Sequence, residues 1–320
     1  MRIPMAGSEM ARLRFAVSPV YETFMAVDVL RSPGAHAIHL PWVRWARPQL
    51  AEIPDLALVA AFTAVKPAFL LPVPDARMPT IAEELRRIKS YSPEKVRLFL
   101  DLNHPRRGAW MREVYADPPA GLARLAGILR VVHDKLIQPH WPRLVGILEA
   151  DIAHRAGILA DGGAEAVFER LHPDVEWTGG ELLLRDDPRR RNPAPLDIVL
   201  EGRGLVLSPS AFCWPEVWSA TRPTNAGILR YPARGIATLW ETRRPTPDAL
   251  VALLGRTRAE LLTQLAAPAT TGDLARGLGV TPGAVSQHLG VLRASGLVAT
   301  RRDGRVVLHL RTDRADALLR

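Results

Sequence analysis

Apolar and polar positions over residues 270–298 repeat with the period of two short helices. Leu274, Ala275 and Leu278 recur at 3/4 spacing, and so do Val285, Leu289 and Leu292. Gly279 stands between them, where a positive φ can end a helix tightly. Thr281-Pro282 then supplies an N-cap followed by proline at the first helical position. The pattern predicts a helix-turn-helix. Two β-prone runs follow over 297–310 around Asp303-Gly304, a favoured hairpin pair. They predict a wing-like hairpin with Arg301, Arg302 and Arg305 near its tip.

The first 245 residues read differently. The opening fifteen suggest a frayed lead-in, or a first strand from Ala11 to Val17. Ser18-Pro19 starts a helix running to about Arg31, and Trp42 and Trp45, three apart, share a helical stretch over 39–50. A further helix is expected from Asp55 to about residue 65. Thr80-Ile-Ala-Glu83 is a capping box, and Ser92-Pro93-Glu94 opens the next helix. A stripe from Leu122 to Ile137 is punctuated by Pro139 and Pro142, and a second long helix runs from Trp141 to Leu159. Asp161-Gly-Gly163 closes it before a short helix to Leu171. Runs at 180–185, 196–200 and 204–208 read as three antiparallel strands. An aromatic and proline cluster from Ala211 to Trp218 and a strand at Ile228–Tyr231 come next, and 242–247 reads as a linker. The expected fold class is α+β, mainly α: a helical N-terminal domain (1–245) with a small antiparallel sheet, and a C-terminal winged helix-turn-helix (246–320).

Composition adds bounds. With 320 residues, 48% of them hydrophobic, the chain can build two domains with substantial cores. A single cysteine, Cys213, excludes an internal disulfide framework and fits a reducing cytoplasm. The longest apolar run, 56–71, is broken by Lys66-Pro67 and is too short for a membrane span. No charged-then-apolar leader opens the chain, so a cytoplasmic protein is expected. Net charge is +9, from 38 arginines, 4 lysines and 33 carboxylates; a GC-rich genome would account for part of the arginine bias. Residues 246–320 hold 10 arginines against 6 carboxylates, a surplus of four, which leaves five over the other 245 residues. That density is the footprint of a phosphate-contacting module.

The C-terminal segment resembles the ArsR-type winged-helix repressors. Their pattern is met by Val285-Ser286, His288-Leu289, Leu292, Gly296-Leu297-Val298, Arg302, Gly304-Arg305 and Leu310. The resemblance implies double-stranded DNA as partner, a homodimer and repression. One departure is the helix after the wing, which helps ArsR-type proteins dimerise and is here at most one or two turns; the long helices over 120–159 are the alternative dimer contact. ArsR-type metal sensors use thiolate pairs or carboxylate and imidazole sets. One cysteine rules out a thiolate site, and the tail carries Asp313 and Asp316 without a histidine. His133, His140 and His154 would converge if the two long helices pair, but read as isolated surface or core histidines, and neither a metal nor a cofactor is expected. The run Ser208-Pro-Ser-Ala-Phe-Cys-Trp-Pro215, with Leu239-Trp-Glu241, is similar to the mostly uncharacterised N-terminal region of actinobacterial ArsR-like regulators.

On the second helix, Val285, Leu289 and Leu292 facing inward put Gly283, Gln287 and Gly290 outward, with Ser286 on a flank. Gln287 suits a bidentate bond to adenine, and Ser286 a base or phosphate. Thr281 at the helix N-terminus suits a phosphate. Arg293, Arg301, Arg302 and Arg305 complete the expected DNA contacts; His288 reads as packing, and Arg189–Arg191 as a solvated loop or a second contact. Trp42, Trp45, Trp214 and Trp218 are candidates for an effector pocket or for core filling in a dimerisation scaffold. No G-x-S-x-G elbow, P-loop, H-E-x-x-H or G-x-G-x-x-G occurs, so no enzyme is expected. Two alternatives stay open: a catalytic N-terminal domain, or a winged helix used for protein contacts.

Overall fold

The computed structural model describes residues 2–64, 66–103, 108–185, 200, 202–219, 227–240, 248–265, 268–303 and 306–319. The fold is α+β, mainly α, in two compact units, Met1–Trp240 and Glu241–Arg320. The expected linker at 242–247, the Arg189–Arg191 run, Arg305 and most of the expected strand at 196–200 lie outside the described residues.

In the first unit the helices are α1 (Gly7–Ala11), α2 (Pro19–Arg31), α3 (Leu40–Ala46), α4 (Leu56–Ala60), α5 (Ile81–Lys89), α6 (Pro93–Asn103), α7 (Ala109–Ala116), α8 (Pro118–Val132) and α9 (Trp141–Glu169). Local signals set several starts. Ser18 accepts a hydrogen bond from the Tyr21 N–H at the head of α2, and both bonds of the Thr80–Glu83 box form at the head of α5. Helix α9 breaks at Gly163, whose φ of 73° is open to glycine at little cost. The helix expected from Asp55 to about residue 65 is cut to α4. Lys66, with a φ of 44°, precedes Pro67, and the proline ring disfavours the α conformation there. Leu122, Leu125, Leu129 and Val132 of α8 pack with Phe24 and Trp42 in the main core.

Residues 2–15 are not a frayed lead-in, and of the first strand expected over Ala11 to Val17 only Arg14–Phe15 forms. These residues form β1 (Arg2–Pro4), α1 and β2 (Arg14–Phe15). Strand β1 pairs antiparallel with β4 (Glu181–Leu184), which pairs antiparallel with β3 (Val175–Thr178). The second sheet has the order β2, β5 (Leu205–Ser210), β7 (Gly227–Pro232), β6 (Trp218–Ser219). Here β2, β5 and β7 run parallel and only β6 is antiparallel. The runs at 180–185 and 204–208 are therefore in different sheets, not in one antiparallel set. All six residues of β5 are buried, as expected of a central strand in a parallel sheet covered on both faces.

The second unit holds α10 (Asp248–Leu254), α11 (Arg256–Gln264), α12 (Thr271–Leu278), α13 (Pro282–Ala294), the hairpin β8 (Val298–Asp303) and β9 (Val306–Arg311), and α14 (Asp313–Leu318). Its core gathers Leu261, Leu274, Val285, Leu289, Leu292 and Leu297. Among the described residues no helix is long and apolar enough to cross a membrane.

Candidate nucleic-acid interface

Helix α12 opens on a second capping box. Thr270 Oγ1 accepts from the Asp273 N–H at 3.1 Å, and the Asp273 carboxylate accepts from the Thr270 N–H at 3.3 Å. Gly279 ends the helix with a φ of 69°, and Thr281 starts the next, its hydroxyl accepting from the Ala284 N–H at 3.3 Å. Because that hydroxyl acts as acceptor, its hydrogen stays available to a phosphate.

Burial of Val285, Leu289 and Leu292 fixes the rotation of α13. Each contributes about 1.5–3 kcal/mol by leaving water. Thr281, Gly283, Ser286, Gln287 and Arg293 are consequently exposed, and Gly290 is half-buried. The glycines leave backbone on the surface beside Gln287. His288 is half-buried, on the flank of the apolar seam. Val291, one turn after Gln287 and 47% exposed, is an outward residue that the core-facing pattern passed over; the wheel that places Gln287 places it too. Its methyls suit the C5-methyl of thymine.

The hairpin pairs Arg301 with Leu308 and Arg302 with Val307. Side chains alternate along a strand, so the two arginines stand on opposite faces. Arg302 shares its face with Thr300 and His309, the face turned to the helices, while Arg301 shares the other with Ala299. Both arginines are exposed. His309 is buried and ties the hairpin to α12, with Nε2 3.0 Å from Thr271 Oγ1. Ala269 and His309 also exchange both backbone hydrogen bonds, at 3.1 and 2.9 Å. Burial first, and then the Arg293 charge, lower the His309 pKa below the usual value, so the imidazole is neutral and packs. No short-range signal in the sequence marks Ala269 or Thr271 as partners of His309, 40 and 38 positions on.

Elsewhere, Trp42 and Trp45 are linked by ring contacts through Trp240 and His140. Trp42 is fully buried, its ring centroid 4.9 Å from that of Phe212 and its Nε1 donating to the Leu136 carbonyl at 3.2 Å. Trp45 packs edge-on against His140 at 4.3 Å. Trp218 stands beside Tyr21, and the Trp214 carbonyl lies 2.7 Å from His36 Nδ1. A surface groove of about 230 Å³ between α4, α7 and α8 is lined by Trp110, Arg124 and neighbours, and by none of these four. Cys213 is buried, which pushes its thiol pKa well up. Among the described residues no three His, Cys, Asp or Glu side chains converge as a metal set.

Residues 253–301, from the end of α10 into the hairpin, match the model of a helix-turn-helix domain. Residues 95–237 match the model of a family of unknown function (DUF5937). No curated protein matches the chain, and no solved structure does. A helix-turn-helix domain with an exposed polar second helix supports a DNA-binding transcription regulator as the role of this chain.

Proposed function

We propose that the protein is a cytoplasmic transcription regulator of the ArsR-like winged-helix type that acts as a repressor. A homodimer places one α13 in each of two major-groove half-sites of a near-palindrome. The observation that carries this reading is the outward face of α13, with Ser286, Gln287 and Arg293 exposed around two glycines. A helix docking on protein would present apolar anchors across that face; this one presents a single valine. Gln287 reads adenine, Ser286 a base edge or phosphate, and Arg302 and Arg293 the backbone. The N-terminal unit receives a small-molecule effector and carries no catalytic activity; its binding event changes the spacing of the two reading heads.

Fluorescence anisotropy with DNA from upstream of the protein's own gene, over a salt series and against scrambled duplex, tests this. Selective binding whose log K falls steeply with log salt is the expected result. Equal, weak binding to both duplexes at every salt concentration, repeated with genomic fragments, would overturn it.

A further inference from the structure

Two buried arginines of the N-terminal unit are handled very differently. Arg155 on α9 has all three guanidinium nitrogens engaged. Nε donates to Asp151 at 2.9 Å, and Nη1 and Nη2 donate to the carbonyls of Arg170 and Leu171 at 3.1 and 3.3 Å. Tyr231 lies 4.5 Å beneath it and donates its hydroxyl to the same aspartate at 2.9 Å. Arg230, the adjacent residue on β7, is 0% exposed, yet only Nη2 is engaged, by the carbonyls of Leu71 and Pro72 at 3.4 and 3.2 Å. Its Nε and Nη1 have no partner.

The surroundings of Arg230 repeat the deficit. Ser208 on β5 and Trp218 on β6 are its direct neighbours in register, so all three stand on one face of the sheet. Tyr21, from the first turn of α2, covers that face. Its ring centroid is 4.4 Å from the guanidinium carbon and that of Trp218 is 5.0 Å away, and the two rings are 6.2 Å apart. They therefore back the guanidinium on adjacent sides. Ser208 Oγ and Tyr21 Oη are also buried without a partner. Four polar atoms on three side chains thus lack a mate, and each such atom costs at least as much as a lost hydrogen bond. Ser219 is also unpartnered, but it is in register with Leu229 and faces the other way.

Place and charge narrow the choice of partner. The site lies toward the carboxyl ends of parallel strands β5 and β7, beside the N-terminus of the 13-residue helix α2. That end of a parallel sheet is where ligands bind in open α/β sheets. Arg230 offers donors only, so the partner must bring acceptors. Glu22 and Glu84 are nearby, but their oxygens are spent. Glu22 Oε2 accepts from both the Ala211 and Phe212 N–H groups, at 2.9 and 3.3 Å, and the Ser210 side chain hydrogen-bonds the same carboxyl. Glu84 accepts from Ser18 Oγ and the Val20 N–H at 2.8 and 2.9 Å. Glu84 and Glu22 already lie within electrostatic reach of the guanidinium, so a partner carries at most one negative charge, and the two buried carboxyls disfavour a dianion. A planar pair of acceptor oxygens also matches a guanidinium edge.

We propose that Arg230, Ser208 and Tyr21 form a binding site for a small monocarboxylate. Binding is the claim; that it alters DNA affinity rests on the regulator reading above. Calorimetry on the full chain without DNA tests the site by itself. The probes are sodium formate, acetate, pyruvate and benzoate at ionic strength fixed with chloride, with acetamide as the uncharged isostere and phosphate as the dianion. At least one carboxylate binds saturably, and acetamide and phosphate do not. Ser208→Ala and Tyr21→Phe each weaken that binding about three- to tenfold, and Arg230→Lys weakens it more than about tenfold. Because Arg230→Lys disturbs a buried charge and can unfold the unit, the two hydroxyl deletions, checked for native circular dichroism, carry the test. The site is refuted if none of the four carboxylates binds, if acetamide or phosphate binds as well, or if both hydroxyl deletions leave affinity unchanged.

Discussion

The head of α12 is fastened by Thr270 and Asp273, three residues apart, whereas the head of α2 is fastened by Ser18 and by Glu84, which is 66 residues away from Ser18. This contrast runs through both units. The C-terminal unit has an apolar core and exposed charges; among the buried polar and charged side chains of the described residues, only His309 belongs to it. The N-terminal unit buries Glu22, Glu84, Asp151, Arg155 and Arg230, each held by groups from distant parts of the chain. Local wiring lets a surface substitution act alone. Long-range wiring makes one buried substitution felt by several elements at once.

The sharpest way to break the contrast is at Asp151. Its carboxylate accepts from Arg155 Nε, Tyr231 Oη and the Arg234 N–H. Asp151→Ala leaves a buried guanidinium without its counter-charge and should cost about 3–5 kcal/mol, read as a lowered denaturation midpoint. A loss no larger than that of a surface substitution would mean the buried network is dispensable.

A second test uses pH. Burial pushes the carboxyls of Glu22 and Glu84 up from 4.5 to about 7. Between those values the folded state holds protons that the unfolded state has released. These two groups therefore favour folding below pH 4.5 and lose that contribution as pH rises through 7. The effect is at most about 3 kcal/mol for each carboxyl. Denaturation midpoints measured from pH 5 to 8 should fall, and Glu84→Gln should flatten the slope. An unchanged slope would place the titration elsewhere.

The smallest effects belong to the surface of the C-terminal unit. Gln287→Ala should cost about 1–3 kcal/mol in binding to the selected duplex and little on scrambled DNA. Arg302→Ala should weaken both and reduce the salt slope by about one. Because both side chains are exposed, neither should move the denaturation midpoint. A shift there would show that reading and folding are not separable in this unit.

The same difference governs what the sequence reveals. Thr270, Gly279, Thr281-Pro282 and the 3/4 spacing of Val285 and Leu289 act within one or two turns, so the helices, their turn and the exposed face of α13 can be read residue by residue. Pairing of β1 with β4 joins Ile3 to Leu182, and nothing near either residue specifies the other. The parallel set of β2, β5 and β7 was hidden for the same reason, although the unbroken apolar run at 205–207 hints at burial on both faces. Arg230 looks like any strand arginine until its neighbours are known. Only the fold shows that two of its nitrogens are orphaned.

Gly283 and Gly290 flank Gln287 on α13, and under the proposed function two side chains, Ser286 and Gln287, would supply hydrogen bonds to base edges there. In terms of information, a fully read base pair carries about two bits, and a genome offering about a million competing sites requires roughly twenty to single out one. One such helix supplies a small fraction of that sum. The homodimer proposed above would gain its address by repetition across half-sites and from the stiffness and width of the DNA between them. Operators of such a protein should therefore look weakly conserved base by base and strongly conserved in spacing.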